Sequence, residues 1–336
     1  MEVLEVDPHD ADALAAWSAV HRAALLAARP DDVPVPLEEV RAQALAGRPE
    51  REPSELVHLL AARDGDRVVA AARLELPLRD NRHLGCAEAW VAPDARRRGA
   101  GTRVLADVRE RCRAAGRSLL MTELDEPPGD DGAGRAFLEH HGFRCELSEV
   151  RRELALPVPE ERLSALEQEA RGRSAGYEVV TWRDRCPDDL VEARAALGVA
   201  MSTDVPLGGL DYGEEVWDAS RVREREGLLA EQGRSSVVAA ARHRATGDLV
   251  AFTELVVRRA APDEVHQWET LVLRAHRGCR LGLLVKAAAL RRLVAEVPGA
   301  RRVVTVNATT NAPMVAVNEA LGFVPDGVVS TWQRTV

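Results

Sequence analysis

At 336 residues the chain is longer than one hydrophobic core usually grows, and its 46% hydrophobic and 29% charged residues are those of a folded globular protein, not a disordered one. A net charge of −9 disfavours a broad electrostatic surface for nucleic acid or anionic lipid. No apolar run reaches the roughly 20 residues that cross a bilayer, Met1 to Asp10 carry acids where a leader peptide carries Lys or Arg, and the five cysteines follow no metal-binding pattern, so the expectation is a cytoplasmic chain with reduced thiols, no metal and no membrane.

In chain order, Glu2 to Val6 reads as a strand and Asp12 to Ala28 as a helix. In the helix, Leu14, Trp17, Val20, His21, Ala24 and Leu25 recur near a period of 3.6, which puts Trp17 in the core and His21 at its rim. From Val57, two apolar runs joined by Asp64-Gly65 read as a hairpin. A strand over Ala87 to Val91 closes at Pro93-Asp94-Ala95, and Arg96-Arg97-Arg98-Gly99-Ala100-Gly101 then leads into a helix over Thr102 to Ala115. Val104, Leu105, Val108, Cys112 and Ala115 share one face of that helix, and Gly116 ends it. A strand, a helix and a last strand follow. Leu156-Pro157-Val158-Pro159 opens a polar, Glu- and Arg-rich stretch to Gly176, predicted as a linker with a short helix over 160–171.

The same order then recurs. Tyr177 to Trp182 reads as a strand, and a hairpin with Thr246-Gly247 at its turn runs from Ser236. Glu88 to Gly101 (EAWVAPDARRRGAG) aligns without a gap on Glu269 to Gly282 (ETLVLRAHRGCRLG) at an offset of 181, and Gly142-Phe143 on Gly322-Phe323 at an offset of 180. An internal repeat of this length predicts two α/β domains in tandem, each an α+β mixed sheet with helices layered on it, over 1–155 and 176–336 with a linker at 156–175.

A glycine-containing loop at a helix N-terminus presents backbone N–H groups, and the helix dipole adds about half a positive charge. Gly99 and Gly101 let the backbone approach an anion closely, and the arginines add phosphate hydrogen bonds. The second copy repeats the device as Arg277-Gly278-Cys279-Arg280-Leu281-Gly282. The spacing is neither GxxxxGK[ST] nor GxGxxG with an acid about 20 residues on, which disfavours ATP and NAD.

The run (R/Q)xxGx(G/A) opening a helix after a strand, and followed by a strand, a helix and a Gly-Phe pair, resembles the GNAT superfamily of acyl-CoA N-acyltransferases, twice and over nearly the whole chain. Gln267 to Val272, Asn307, Asn311, Met314 and Asn318 to Phe323 strengthen the likeness in the second copy. In that superfamily the loop holds the CoA pyrophosphate and the preceding strand pairs with pantetheine. The resemblance implies acetyl-CoA contacts at Val91, Ala92, Arg96, Arg97, Arg98, Gly99, Ala100, Gly101 and Thr102, and at Leu271, Val272, Leu273, Arg277, Gly278, Cys279, Arg280, Leu281, Gly282 and Leu283. Arg280 stands where the first copy has Gly99, so the second loop must fit a guanidinium.

Acyl transfer to an amine requires a neutral amine, a polarised thioester carbonyl and a proton for the leaving thiolate. Glu88 and Glu269 occupy equivalent strand positions; each is a candidate general base if burial raises its pKa, or a structural salt bridge. The tyrosine that many GNAT enzymes place five positions before the Phe is Leu138 in one copy and Asn318 in the other. Water, Asn318 or another side chain must then substitute for the missing acid, and Asn307 and Asn311 are candidates to bond pantetheine, with turn backbone the alternative for Asn307 and helix capping that for Asn311. Because Glu269, Asn307, Asn311 and Asn318 all lie in the second copy, that copy is the expected active one. Over Met201 to Trp217, Asp204, Asp211, Glu214 and Glu215 with Tyr212 and Trp217 suit a cationic amine, or a solvated surface loop.

The expectation is an N-acetyltransferase moving acetyl from acetyl-CoA to a primary amine of a small-molecule acceptor, as monomer or homodimer, with no nucleic-acid partner. A non-catalytic acyl-CoA sensor or scaffold with degenerate GNAT domains is the alternative, prompted by the missing tyrosines and by Arg280.

Overall fold

The computed structural model describes residues 1–336. The chain divides into two units. The first contains β1 (Glu2–Glu5), α1 (Ala11–Ala28), α2 (Leu37–Ala46), β2 (Glu55–Asp64), β3 (Arg67–Pro77), β4 (Leu84–Val91), α3 (Ala100–Ala114), β5 (Leu119–Glu126) and α4 (Ala133–His140). β6 (Arg144–Ala155) begins in this unit and ends in the second, which contains α5 (Glu160–Arg171), β7 (Tyr177–Arg183), α6 (Val191–Asp204), α7 (Ala219–Glu231), β8 (Arg234–His243), β9 (Leu249–Arg258), β10 (Ala261–Val272), α8 (Leu281–Glu296), β11 (Arg302–Ala308) and α9 (Ala312–Leu321). β12 (Val324–Thr335) begins in the second unit and passes into the first at Val328. The mixed α/β architecture and the repeated order of elements are those expected.

In the first unit the strands run β1-β2-β3-β4-β5-β12, antiparallel throughout except for the parallel pair β4/β5. Asp10 caps α1 by accepting from the N–H groups of Asp12 and Ala13. Leu14, Trp17 and Val20 then pack on Leu60, Ala72 and Leu74, while Val104, Val108 and Cys112 of α3 join the same core. The Trp17 indole N–H donates to the Ala72 carbonyl at 3.1 Å, so its burial leaves no polar atom unpaired.

In the second unit the order is β6-β11-β10-β9-β8-β7, with β10/β11 the parallel pair. β8 and β9 are buried almost end to end, because helices cover both faces. Val285, Ala289 and Leu293 of α8 pack with Leu163 and Ala170 of α5 in one core, and Ala195, Leu197 and Val222 of α6 and α7 pack on Phe252 and Trp182 in another. The expected linker helix is therefore a core element of the second unit.

The units depart from the contiguous division 1–155 and 176–336 at their last strands. Val328–Thr335 pairs antiparallel with Glu126–Leu119, and Glu149–Ala155 pairs antiparallel with Ala308–Arg302. Each half thus receives its last strand from the other repeat. Alternation and turn signals identify a strand and its faces, but the edge it joins is set by tertiary pairing. Residues 208–212 also belong to the first unit, where the Gly209 N–H donates to the Glu146 carbonyl and the Asp211 N–H to the Gln333 side chain.

Cutting the chain in the 156–175 segment leaves β5 without residues 328–335 and β11 without residues 149–155. Fragments 1–155 and 176–336 expressed separately are expected to self-associate through these bare edges. Size-exclusion chromatography and thermal melts check this; a monomeric fragment with a cooperative melt would show that the exchange is dispensable.

Candidate active site

Each parallel strand pair is a fork. β10 pairs with β11 only over Glu264–His266 and Arg302–Val304, although β10 continues to Val272 and β11 to Ala308. Beyond the fork point β10 stays with β9, through a register shift between Gln267 and Thr270, and β11 stays with β6. From Gln267 to Val272, β10 has no strand partner on the side that faces away from β9; the Gln267 carbonyl accepts from the Thr305 hydroxyl of β11 at 3.4 Å. In the first unit β4 and β5 pair only over Leu84–Cys86 and Leu119–Met121, and β4 continues to Val91 against β3.

The closed end of the second fork is held by charge. Glu264 accepts from Arg302 at 2.7 Å and lies 3.1 Å from the His266 ring nitrogen. Burial opposes its ionisation, but the hydrogen bonds and charges of His266 and Arg302 outweigh burial and lower its pKa to about 2.

The open end leads through a single 3-10 turn (Pro93–Ala95; Arg274–His276) into the anion loop. Each loop has two left-handed residues, Arg97 (φ 63°) and Gly99 (φ 84°) in one and Gly278 (φ 83°) and Arg280 (φ 59°) in the other. At the offset of the repeat these correspond pairwise, so each copy places glycine at one position and arginine at the other. Arg280 fits because only its backbone joins the turn; its guanidinium ion-pairs with Glu169 of α5. The helical ladders begin with the N–H groups of Arg103 and Leu284. The N–H groups of Ala100, Gly101 and Thr102, and of Leu281, Gly282 and Leu283, are therefore not used within the helices, as an anion cradle requires.

The two loops differ in what surrounds them. Arg96, Arg97 and Arg98 are exposed and make no salt bridge. A Cβ added at Gly101, however, would stand 3.3 Å from the Phe137 ring, so an aromatic side chain crowds this helix start. At Gly282 the nearest atom to such a Cβ is Val272 Cγ2 at 3.7 Å. Arg277 donates to the Val272 carbonyl at 3.1 Å and lies 3.7 Å from the Asp204 carboxylate, while Cys279 is half-buried against the Tyr177 hydroxyl.

The candidate bases are engaged. Glu88 accepts from Arg73 directly across the strand pair at 2.7 Å. Glu269, in the bulge of β10, meets Arg194 at 3.1 Å and Arg225 at 3.7 Å, and both arginines also reach Glu254. Burial pushes the Glu269 carboxyl up, but the Arg225 and Arg194 charges more than offset it and hold it below its ordinary value. Of the two readings open for Glu269, general base or salt bridge, the geometry is that of the salt bridge, made by arginines of α6 and α7. Arg194 Nη1 is buried without a hydrogen-bond partner beside a cavity of about 20 Å³ lined by Trp217, Arg225 and Glu254, room for about one water. Two of the acids assigned to a cationic amine are also taken: Asp204 pairs with Arg274 at 2.8 Å, and Glu215 pairs with Arg221 at 3.3 Å and accepts from the Trp217 indole.

Among the asparagines, Asn311 caps α9, its carbonyl accepting from the Met314 N–H at 3.4 Å. Asn318 is fully buried and lies under the site: its carbonyl accepts from Lys286 Nζ at 2.8 Å and its amide donates to the carbonyl of Asn307. Lys286, in the apolar face of α8, is fully buried, and burial lowers its pKa to about 7. Its place in an apolar helical face hides it in the sequence pattern. The signal was there, because Lys286 is the one lysine among 45 basic residues. The first copy has Leu105 and Leu138 at the places of Lys286 and Asn318, both buried.

The Acetyltransferase (GNAT) family matches residues 19–143 and again 208–323. The chain belongs to the GNAT family. A tandem GNAT protein from the clavulanic acid biosynthesis pathway, solved without AcCoA, is 27% identical, with 99% of this chain and 98% of that one covered at a TM-score of 0.80. A GCN5-related N-acetyltransferase from Sphaerobacter thermophilus shares the fold at 16% identity and a TM-score of 0.65, over 99% and 95% of the two chains. A glucosamine N-acetyltransferase region of a fungal multi-domain β-N-acetylglucosaminidase shares it at 14% identity and 0.68, over 99% of this chain and 38% of that one. No curated protein matches the sequence. No helix of this GNAT protein is long and apolar enough to cross a membrane. Family and tandem layout together support an N-acetyltransferase-type function.

Glu264→Gln tests the clamp at the fork. A carboxyl held near 2 rather than 4.5 contributes stability that is present above about 4.5 and lost as pH falls toward 2. Urea unfolding of the variant should show about 3 kcal/mol less stability at neutral pH and a flatter pH dependence across that window.

Proposed function

We propose that the protein transfers an acetyl group from acetyl-CoA to a primary amine of a small-molecule acceptor, with the chemistry in the C-terminal copy. The observation that carries this reading is that one fork, and not the other, combines an open helix N-terminus with a buried polar chain on its second arm. The residues present fit the donor. The N–H groups of Leu281, Gly282 and Leu283 suit a pyrophosphate, and the edge of β10 near Leu271 and Val272, which has no strand partner on that side, suits amide groups added as a further strand. Acetyl-CoA supplies the activated acyl group; the chain binds it, orients it and excludes water.

Glu269 serves in this reading as an ionised anchor for Arg194 and Arg225, shaping the acceptor side, and not as the base that takes the amine's proton. A carboxyl held below its ordinary range is a poor match for a base working near neutral pH.

A second reading applies to the N-terminal copy. Its three unpaired arginines favour anion binding, while buried Leu105 and Leu138 stand where the C-terminal copy has Lys286 and Asn318, so it holds acyl-CoA without turnover.

Calorimetry with acetyl-CoA tests both readings. Gly282→Glu sets a carboxylate in the second cradle, and Gly101→Glu one in the first; an acid in the first turn is compatible with the helix. Each variant is expected to lose one binding event, and only Gly282→Glu to lose acetyl transfer in an amine screen. Absence of acetyl-CoA binding by the wild type would end the acyltransferase reading.

A further inference from the structure

The chain places its one lysine where an ammonium is least welcome. Lys286 is 1% exposed and makes no ion pair; its hydrogen-bond partner is the Asn318 carbonyl, and the Phe323 ring lies 5.6 Å away. Packing does not call for it, since the first copy fills the equivalent places with Leu105 and Leu138. Replacing a buried ion by an apolar side chain of similar volume is commonly neutral or stabilising, so a lysine kept here serves something other than stability. Arginine, used at every other cationic position, does not give up its charge inside a protein, whereas lysine does so readily.

The chain of hydrogen bonds gives Lys286 a direction. Its ammonium donates to Asn318, whose amide donates to Asn307, and Asn307 stands on β11 three residues beyond Val304, the last residue paired with β10. The relay begins in the core of α8 and ends on the arm of the fork that faces the open edge of β10. Asn307 is half-buried, and with its side-chain carbonyl taken by Asn318 its side-chain NH2 is the group left to donate. Each donation polarises the next amide, so a positive charge at one end strengthens the donor at the other.

Resting on the acetyl-CoA reading above, we propose that Lys286 is a positioning residue which acts through Asn318 and Asn307 to stabilise the coenzyme's sulfur as a thiolate when it leaves. In the reaction the amine nitrogen bonds to the acyl carbon and the carbon–sulfur bond breaks, its electron pair going to sulfur. The proton released by the nitrogen as it becomes an amide is the one the sulfur finally takes. Lys286 is not consumed. Burial leaves it close to half-protonated near neutral pH, and negative charge growing at the far end of the relay favours its charged form.

The test needs no acceptor. Coenzyme A is bound to the full chain, and its thiol is titrated by the ultraviolet absorbance of the thiolate; desulfo-CoA, which lacks the sulfur, is the binding control. In the wild type the bound thiol should titrate at least one pH unit below free CoA, which makes CoA about tenfold tighter than desulfo-CoA in the thiolate range. Lys286→Met should abolish that difference, leave desulfo-CoA binding unchanged, and keep or raise Tm. Asn307→Ala, at the half-buried end of the relay, should abolish it too and serves as the test if Lys286→Met does not fold. A bound thiol that titrates like free CoA in the wild type, or one equally shifted in the variants, overturns the proposal. Failure of the wild type to bind either compound overturns the acetyl-CoA reading itself, and this proposal with it.

Discussion

The three-rung limit on the parallel pairing of β10 with β11 governs the rest of the site. Backbone N–H and C=O groups in a folded interior demand partners, and a strand released on one side needs water or a ligand on that side. The bulge after Gln267 turns β10 away from β11, and the ion cluster of Glu264, Arg302 and His266 keeps the closed end from following. The anion loop depends on the same divergence, since α8 starts where the released strand ends.

The exchange of last strands serves the fork from its other side. A strand that leaves its parallel neighbour needs a second partner to remain a strand, and β11 and β5 find theirs in residues 149–155 and 328–335. The fork arms are thus held from outside, where a tandem chain has a spare strand to offer. The arrangement also explains why α5, polar on one side, buries Leu163 and Ala170 instead of acting as a free tether.

Much of this was legible in the sequence because it depends on local chemistry. The hairpins, the helix after each arginine-glycine loop, and the short helix over 160–171 follow from periodicity and turn residues that act within a few positions. The loop was recognised twice because backbone conformation constrains composition: two left-handed positions per loop leave glycine at Gly99 and Gly278. What depended on distant pairing was not legible. Nothing near Glu269 announces Arg194 and Arg225, which arrive from helices 75 and 44 residues earlier and decide for the salt bridge over the general base. Asn311 and Asn318 were both read as polar groups of the site, yet one caps α9 and the other is a buried link. Lys286 escaped because it occupies an apolar helical position, where a pattern of faces treats it as noise.

The two copies show how one fold separates attraction from chemistry. The first keeps three exposed arginines on its loop and an apolar floor of Leu105 and Leu138. The second has turned its loop arginines toward Asp204, the Val272 carbonyl and Glu169, and has built a polar chain beneath the fork. Long-range charge matters most for capture and is weakened by salt, whereas a buried donor relay is shielded from solvent and acts on charge that develops next to it. A loop that relies on backbone N–H groups can neutralise its arginines and still hold an anion by geometry. Leu105 and Leu138, however strongly the first loop attracts the donor, cannot supply the buried donors that Lys286 and Asn318 offer in the second copy.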